Sequence, residues 1–192
     1  MTGLQKLLMW KASGGGGGGL PAEYQRVKYL SRTNAQSGPY CTVNFLLSIG
    51  DEVQTAAVDK GQPGTQRAFG GQGDTELGNR MELYYNTHDI ITCWTSVSDG
   101  VTINNREYGT PDRLTFTVNA EVTLTYWGIY RSGSYLFNGD LYYIKITGSD
   151  GTKKHHLIPC IRKADSEPGF YDIVTGVFYT NDAQDGEFIP GV

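Results

Sequence analysis

The sequence predicts an all-β protein, an antiparallel β-sandwich or jelly roll, and three observations indicate this class. From Leu114 to Tyr126 every even position is apolar and every odd position is polar, as in strands with one face toward a core. Four Asn-Gly or Asp-Gly pairs mark tight turns. No segment after residue 20 has the 3.6-residue period of a helix. A chain of 192 residues is long enough for one such domain.

The predicted strands are short and are separated by turn residues along the body of the chain. Asp150-Gly151 marks the clearest hairpin, between Leu141–Thr147 and Lys153–Ile158. The alternating stretch is long for one strand, so a turn is expected at 119–121. The glycine-rich stretch 61–78 is predicted to form loops around one short strand. The other predicted strands are Tyr24–Leu30, Cys41–Ile49, Val53–Asp59, Arg67–Gly70, Met81–Asn86, Ile90–Thr95, Val101–Asn104, Tyr171–Val174 and Val177–Thr180.

Six consecutive glycines divide the chain into a head (residues 1–13), a glycine linker (14–19) and a body (20–192). The head has an apolar stripe at helical spacing, formed by Leu4, Leu7 and Leu8, with Trp10 beside it. An isolated helix of this length is marginal in water. We therefore expect a helical or extended anchor peptide that docks on another protein.

Two alternatives for the head stay open. A signal peptide is disfavoured because Lys6 and Lys11 interrupt the apolar run and no A-x-A-like cleavage site follows. An engineered tag is the second alternative, since glycine-rich linkers are common in fusion proteins.

Composition excludes several classes of function. The net charge is −4, and the body is more acidic than the whole because the head carries two lysines and no acid. An acidic body without a basic stripe predicts no nucleic-acid partner, and no apolar run is long enough for membrane insertion. Three widely spaced cysteines predict buried free thiols, with one disulfide plus one thiol as the alternative. These are Cys41, Cys93 and Cys160.

The two ends of the body resemble a known family. The opening LPAEYQRVKYL (20–30) and the closing segment 139–181, with its "IPC" element and its "G-x-YD-x-V-x-G-x-FYTN" hairpin, are similar to the concanavalin A-like (laminin-G-like) lectin domains of bacteriophage virion proteins and gut-bacterial surface proteins. The resemblance covers most of 20–192 and is weak at 60–110. It implies a jelly roll of two curved antiparallel sheets. The closing motif reads as packing residues, so it says little about activity.

Catalytic motifs are not found in the sequence. Retaining glycosidases of this fold need two carboxylates about 5–5.5 Å apart, and no E-x-D-x-x-E-like spacing occurs. His155 and His156 would point to opposite sides of a strand. They are therefore interpreted as an edge-strand pair rather than a zinc site. The sequence predicts no enzyme and no catalytic residue.

No cofactor is predicted, with Ca²⁺ as the alternative that a lectin-like jelly roll leaves open. No D-x-D-x-D/N spacing occurs. The loop carboxylates that would serve are Asp74, Glu76, Asp99, Asp112, Asp140 and Asp150.

Glycan binding is the predicted small-molecule role. Sugar recognition uses aromatic rings against CH faces together with a few polar groups. Strand alternation directs Tyr126 to the core and Trp127 to the opposite surface, and packing against a neighbour is the alternative for this tryptophan. The predicted glycan-binding residues are Trp127, Tyr130, Arg131 and Tyr135.

The resemblance and the tethered head together predict a non-enzymatic structural protein of a bacteriophage particle, of capsid or tail decoration type. It would bind other virion proteins through residues 1–19 and display the body on the particle surface, toward host polysaccharide. The alternative is a lectin of a bacterial surface, and a glycoside hydrolase is third. Trimeric display is common in such appendages, but no heptads require a homo-oligomer.

Overall fold

The chain folds into antiparallel sheets in a computed structural model, which describes residues 19–32, 38–59, 66–72, 80–85, 91–96, 99–103, 112–118, 121–128, 139–183 and 186–192. Within these ranges every regular element is a strand. The all-β prediction is confirmed, and the arrangement is consistent with a β-sandwich. The head, Met1 to Ser13, lies outside the described residues.

Fifteen strands follow one another along the chain. They are β1 (Tyr24–Arg26), β2 (Tyr29–Arg32), β3 (Tyr40–Leu47), β4 (Glu52–Asp59), β5 (Gln66–Gln72), β6 (Arg80–Tyr85), β7 (Ile91–Ser96), β8 (Asp99–Ile103), β9 (Asp112–Thr117), β10 (Val122–Gly128), β11 (Gly139–Thr147), β12 (Lys153–Arg162), β13 (Glu167–Asp172), β14 (Val177–Tyr179) and β15 (Phe188–Gly191).

The strands form a large sheet of nine and a small sheet of six. The small sheet has the order β3-β10-β5-β6-β7-β8. In the large sheet β14, β13, β12 and β11 are neighbours in that order, and β4 and β9 extend the sheet beyond β11. Two short N-terminal strands complete it, because β1 pairs with β12 while β2 pairs with β11 and β15.

The strand β12 continues through Pro159, beyond the end predicted at Ile158. Proline has no N–H for a strand ladder and is usually excluded from central strands. Here it lies where one neighbour replaces another, because β12 pairs with β11 up to Leu157 and with β1 from Cys160. Its carbonyl accepts a hydrogen bond from the Val27 N–H at 3.2 Å. The position without an N–H donor therefore lies between the hydrogen-bond ladder with β11 and the one with β1.

The core lies between the inner faces of the two sheets. The predicted alternation is confirmed at the described even positions from Leu114 to Leu124, all of which are buried. Across the interface, the Trp127 ring of the small sheet meets the Phe170 ring of the large sheet edge-on at 5.8 Å. Other buried members of this core include Leu30, Leu47, Val53, Leu141, Ile144 and Phe188.

The outer edge of β3 is covered by the segment that follows β14. The Asp182 carboxylate accepts a hydrogen bond from the Thr42 N–H at 2.7 Å, and the Asp182 N–H donates to the Tyr40 carbonyl at 2.8 Å. The Asn181 side chain accepts from the Tyr40 N–H. An uncovered strand edge is a template for aggregation, so these polar residues protect the small sheet on this side.

Candidate functional site

The predicted outward position of Trp127 is wrong. Trp127 is 0% exposed and pairs with Cys41, another core residue. The reason is a β-bulge: Val43 and Asn44 of β3 stand opposite a single β10 residue, and Asn44 has a left-handed φ of 51°. Such an insertion shifts the register by one residue. Past it, an odd-numbered residue of β10 faces the core, so Trp127 offers no platform to a sugar.

The other predicted binding residues lie outside the described part of the chain. This holds for Tyr130, Arg131 and Tyr135 of the proposed glycan loop. It also holds for the anchor residues of the head, Leu4, Leu7, Leu8 and Trp10. These assignments stay predictions.

Half-buried aromatic rings cross the outer face of the large sheet, on the side opposite the core. We call this set the aromatic face. It extends from β14 to β2, four strand spacings or roughly 19 Å at about 4.8 Å each. Its rings belong to Phe178, Tyr171, Tyr24, His156, Tyr143, Tyr142 and Tyr29.

Cross-strand register brings the first rings of the aromatic face together. Tyr171 stands directly opposite Phe178 on one side and Ile158 on the other, and Tyr24 stands opposite Arg162. The Tyr24 ring lies 4.7 Å from the Tyr171 ring and 5.0 Å from the Phe178 ring, tilted by 42° and 45°. Tilted ring pairs at this distance are favourable. The result is a continuous aromatic surface rather than three separate side chains.

A glycine and a cation hold Phe178 in this surface. A Cβ atom at Gly169 would lie 2.8 Å from the Phe178 ring, so glycine allows the ring to lie directly on the neighbouring strand. The Arg162 guanidinium lies 5.0 Å from the centre of the same ring, within cation–π range. Arg162 is itself fixed by hydrogen bonds of 2.7 and 3.0 Å to Asp165. These contacts therefore hold the Phe178 ring in one orientation.

At the other end, the Tyr29 ring lies over Gly191 of β15, where a side chain would collide with it. Tyr29 lies 5.6 Å from Tyr142. The Tyr143 ring lies 6.2 Å from His156 in an edge-on arrangement. Partial burial raises the pKa of Tyr142, as it does for Tyr24 and Tyr171 at the first end. These phenols stay protonated near neutral pH and can both donate and accept hydrogen bonds.

The two adjacent histidines lie on opposite faces of the large sheet, as strand alternation predicts. The expected edge position is wrong, because β12 has neighbours on both sides. His155 faces inward and stacks on Phe45 at 3.6 Å, while its Nδ1 lies 2.8 Å from the Asp172 carboxylate. His156 belongs to the aromatic face.

Asp172 is a fully buried carboxylate with hydrogen bonds on both oxygens. Besides His155, its partners are the N–H groups of His156 and Val174, at 2.9 and 3.0 Å, and the Thr175 hydroxyl at 2.8 Å. Burial acts to raise the pKa of Asp172, but these hydrogen bonds outweigh it and hold the pKa below the ordinary value. The carboxylate therefore fixes the turn between β13 and β14.

The second buried carboxylate, Asp51, also has a structural role. It accepts a hydrogen bond from the Ser48 N–H at 2.9 Å and forms a 2.7 Å ion pair with Lys154. These contacts tie the β3–β4 turn to the start of β12.

No three His, Cys, Asp or Glu side chains of the described ranges are placed to hold a metal ion. Of the calcium candidates, Asp150 accepts the Thr152 N–H at 2.9 Å within its hairpin turn, and Asp140 is buried beside Tyr142. The remaining calcium candidates lie outside the described side chains. So does Cys93, while Cys41 and Cys160 are free and buried as predicted.

Comparison of the chain with protein-family profiles, curated proteins and solved structures finds no match in any of the three. The resemblance to concanavalin A-like domains thus stays a prediction from the residues that carry it. In the part of the chain described, no helix is long and apolar enough to cross a membrane.

The sequence does not predict the aromatic face, because the residues of the closing motif are typical of packing. A signal was present in strand alternation. Phe170 and Tyr171 are adjacent in β13, and Phe178 and Tyr179 are adjacent in β14. Adjacent residues of a strand point to opposite faces, so only one member of each pair can point to the core.

Proposed function

We propose that this chain is a non-enzymatic structural protein of a bacteriophage particle, whose concanavalin A-like jelly-roll body adheres to surface glycans through the aromatic face. The head would anchor the body to other virion proteins, and the body would be exposed on the particle. The alternative function, a lectin of a bacterial surface, would use the same face but would bind a different partner through the head.

The observation that carries this proposal is the aromatic face itself. Rings of Tyr24, Tyr171 and Phe178 offer apolar surfaces to the CH groups of a sugar, and the phenol hydroxyls offer hydrogen bonds. Aromatic side chains are also ordered at small entropic cost because they have few rotatable bonds. A surface that crosses several strands suits a polysaccharide chain better than a single monosaccharide.

The roles of two buried carboxylates, Asp172 and Asp51, support a non-enzymatic function. A retaining glycosidase needs a nucleophile and a separate acid/base carboxyl about 5–5.5 Å apart. Asp172 and Asp51 are instead occupied by hydrogen bonds and an ion pair within the protein. Both serve turns of the sandwich.

The start of the body is held in a way that suits a tethered display domain. The Lys163 ammonium donates to the Ala22 carbonyl at 2.6 Å, and the Lys163 N–H donates to the Glu23 carbonyl at 2.9 Å. These bonds fix the chain where it leaves the glycine linker.

Binding to immobilised polysaccharides tests the adhesive function. The full chain is applied to dextran, arabinogalactan, polygalacturonate and heparin, beside the double variant Tyr24→Ala/Tyr171→Ala. We expect binding to at least one polymer and a loss of roughly tenfold or more in the variant. The matched control is Tyr126→Ala, which removes a half-buried tyrosine of the small sheet that pairs with Tyr40 at 5.1 Å.

Two results would overturn the adhesive function: no binding to any polymer or across a broad glycan array, or equal losses in Tyr126→Ala and the double variant. The anchor is tested separately by deleting residues 1–13. The truncated chain should keep its circular dichroism spectrum and fail to enter particles, and normal incorporation would disprove the anchor.

A further inference from the structure

Three cationic side chains surround His156 at the centre of the aromatic face. We call His156, Lys145, Arg26 and Lys153 the cationic cluster. Lys145 stands directly opposite His156 on β11, and Arg26 of β1 stands opposite Cys160, on the same side of β12 as His156. Lys153 lies three residues before His156, opposite Thr147. Three separate strands therefore contribute positive charge to one surface.

The cations of the cluster form no ion pair among the described residues, although Glu52 of β4 lies on the same face, opposite Thr147, where its carboxylate accepts a hydrogen bond from the Gln54 amide. None of its three cations forms an ion pair with an acid in the described ranges, whereas Lys154 and Arg162 are each paired. The net charge of the chain is −4. A concentration of unpaired cations on an acidic protein marks a surface where an anion would be favoured.

The pKa of His156 is shifted by partial burial and by the positive charges of the cationic cluster. Partial burial and the charge of Lys145 lower the pKa of His156, Asp172 on the opposite face acts to raise it, and Arg26 and Lys153 lower it further. The net direction is downward, so the ring is neutral near pH 7 and adds a hydrogen-bonding group without adding repulsion.

We propose that the cationic cluster binds the acidic groups of an anionic polysaccharide lying across the aromatic face. This inference rests on the proposed adhesive function and names its ligand class. The arginine fork can bind a carboxylate or sulfate through two parallel hydrogen bonds, and the lysines add mobile point charges. The rings on either side, Tyr143 and Tyr171, would contact the apolar faces of the flanking sugars.

Charge also differs between the two ends of the aromatic face. The end near Tyr24 carries acids, since Glu23 acts on the pKa of both Tyr24 and Tyr171, and Asp165 pairs with Arg162. An acidic sugar would thus be placed over His156, with a neutral sugar over Tyr24 and Phe178. We expect polymers with alternating acidic and neutral residues to fit better than uniformly charged ones.

The test compares polygalacturonate with its carboxyl-reduced neutral form, using the full chain at low and physiological ionic strength. We expect the acidic polymer to bind at least tenfold more tightly, with salt weakening only that polymer. Arg26→Gln/Lys145→Gln should weaken binding of the acidic polymer roughly tenfold, because two charge pairs with the polymer are lost. Binding to the neutral polymer should not change. Lys28→Gln, which removes an exposed lysine outside the cluster, is the control.

The outcomes separate the two proposals. Equal binding of both polymers, with unchanged affinity in Arg26→Gln/Lys145→Gln, would overturn the ligand class and leave adhesion through the aromatic face standing. Binding that Lys28→Gln weakens as much as the double variant would overturn the cluster as a specific site. Absence of binding to either polymer and to the wider polysaccharide panel would overturn the adhesive function itself.

Discussion

His155 and His156 are neighbours in the chain but lie in opposite environments on the two faces of the large sheet. On the inner face His155 stacks on Phe45 and contacts the buried carboxylate of Asp172. On the outer face His156 is half-exposed among cations and tyrosine rings. The inner face uses aromatic groups to hold the two sheets together. On the outer face similar groups are only half-buried, so they bury less apolar surface than their counterparts on the inner face.

The largest expected difference between the faces concerns two aromatic residues. Trp127→Ala should destabilise the fold by about 3–5 kcal/mol, because it leaves a cavity against Phe170. Tyr171→Ala should cost about 1 kcal/mol, since its ring is partly exposed and loses mainly ring contacts. Urea denaturation followed by circular dichroism measures both. A Trp127→Ala protein as stable as the wild type would show that this tryptophan is not a core residue.

The next difference concerns Asp172 and its hydrogen bonds. Asp172→Ala leaves buried N–H groups unpaired and should cost about 3 kcal/mol. His156→Ala, on the other face, should change stability by less than about 1 kcal/mol. The lowered pKa of Asp172 means that its stabilisation is complete above about pH 4 and is lost as pH falls below that value through the folded pKa.

Urea midpoints measured between pH 7 and pH 2.5 check this acid dependence. The wild type should lose stability below pH 4 more steeply than Asp172→Ala. Parallel curves for the two proteins would contradict the structural role given to this carboxylate.

The sequence was sufficient for the fold class because alternation and turn pairs are local properties. Leu114 and Phe116 face the core as predicted, and the Asp150-Gly151 hairpin is confirmed with Gly151 at a left-handed φ of 83°. The position of Trp127 could not be obtained in this way. Its orientation depends on a bulge in β3, a strand about eighty residues earlier, and alternation within β10 carries no information about its partner's register.

The candidate site was hidden for a related reason. Tyrosine is common both in protein cores and on protein surfaces, so residue type alone does not show that Tyr171 lies outside the core while Phe170 lies inside it. The cationic cluster combines the hairpin strands β11 and β12 with β1, which lies more than a hundred residues earlier in the sequence. Only the pairing of β1 with β12 brings Arg26 near His156.

The smallest expected effect is a pH dependence of binding to acidic polymers. The pKa of His156 is lowered in the free protein, so an anionic ligand should raise it and binding should take up a proton. Affinity for polygalacturonate should rise about twofold to fivefold as pH falls from 7 to 5. His156→Gln should remove this dependence in a fluorescence titration. An unchanged pH profile in His156→Gln would assign the effect elsewhere.

Under the proposed function, the outer face of the large sheet contacts the glycan and the tryptophan of β10 does not. The most direct measurement is a two-dimensional ¹H–¹⁵N NMR titration of the labelled full chain with oligogalacturonate. We expect shifts concentrated at the amides of Tyr24, Lys145, His156 and Tyr171, with the Trp127 indole signal unmoved. Shifts centred on Trp127 and the small sheet, with those four amides unchanged, would contradict it.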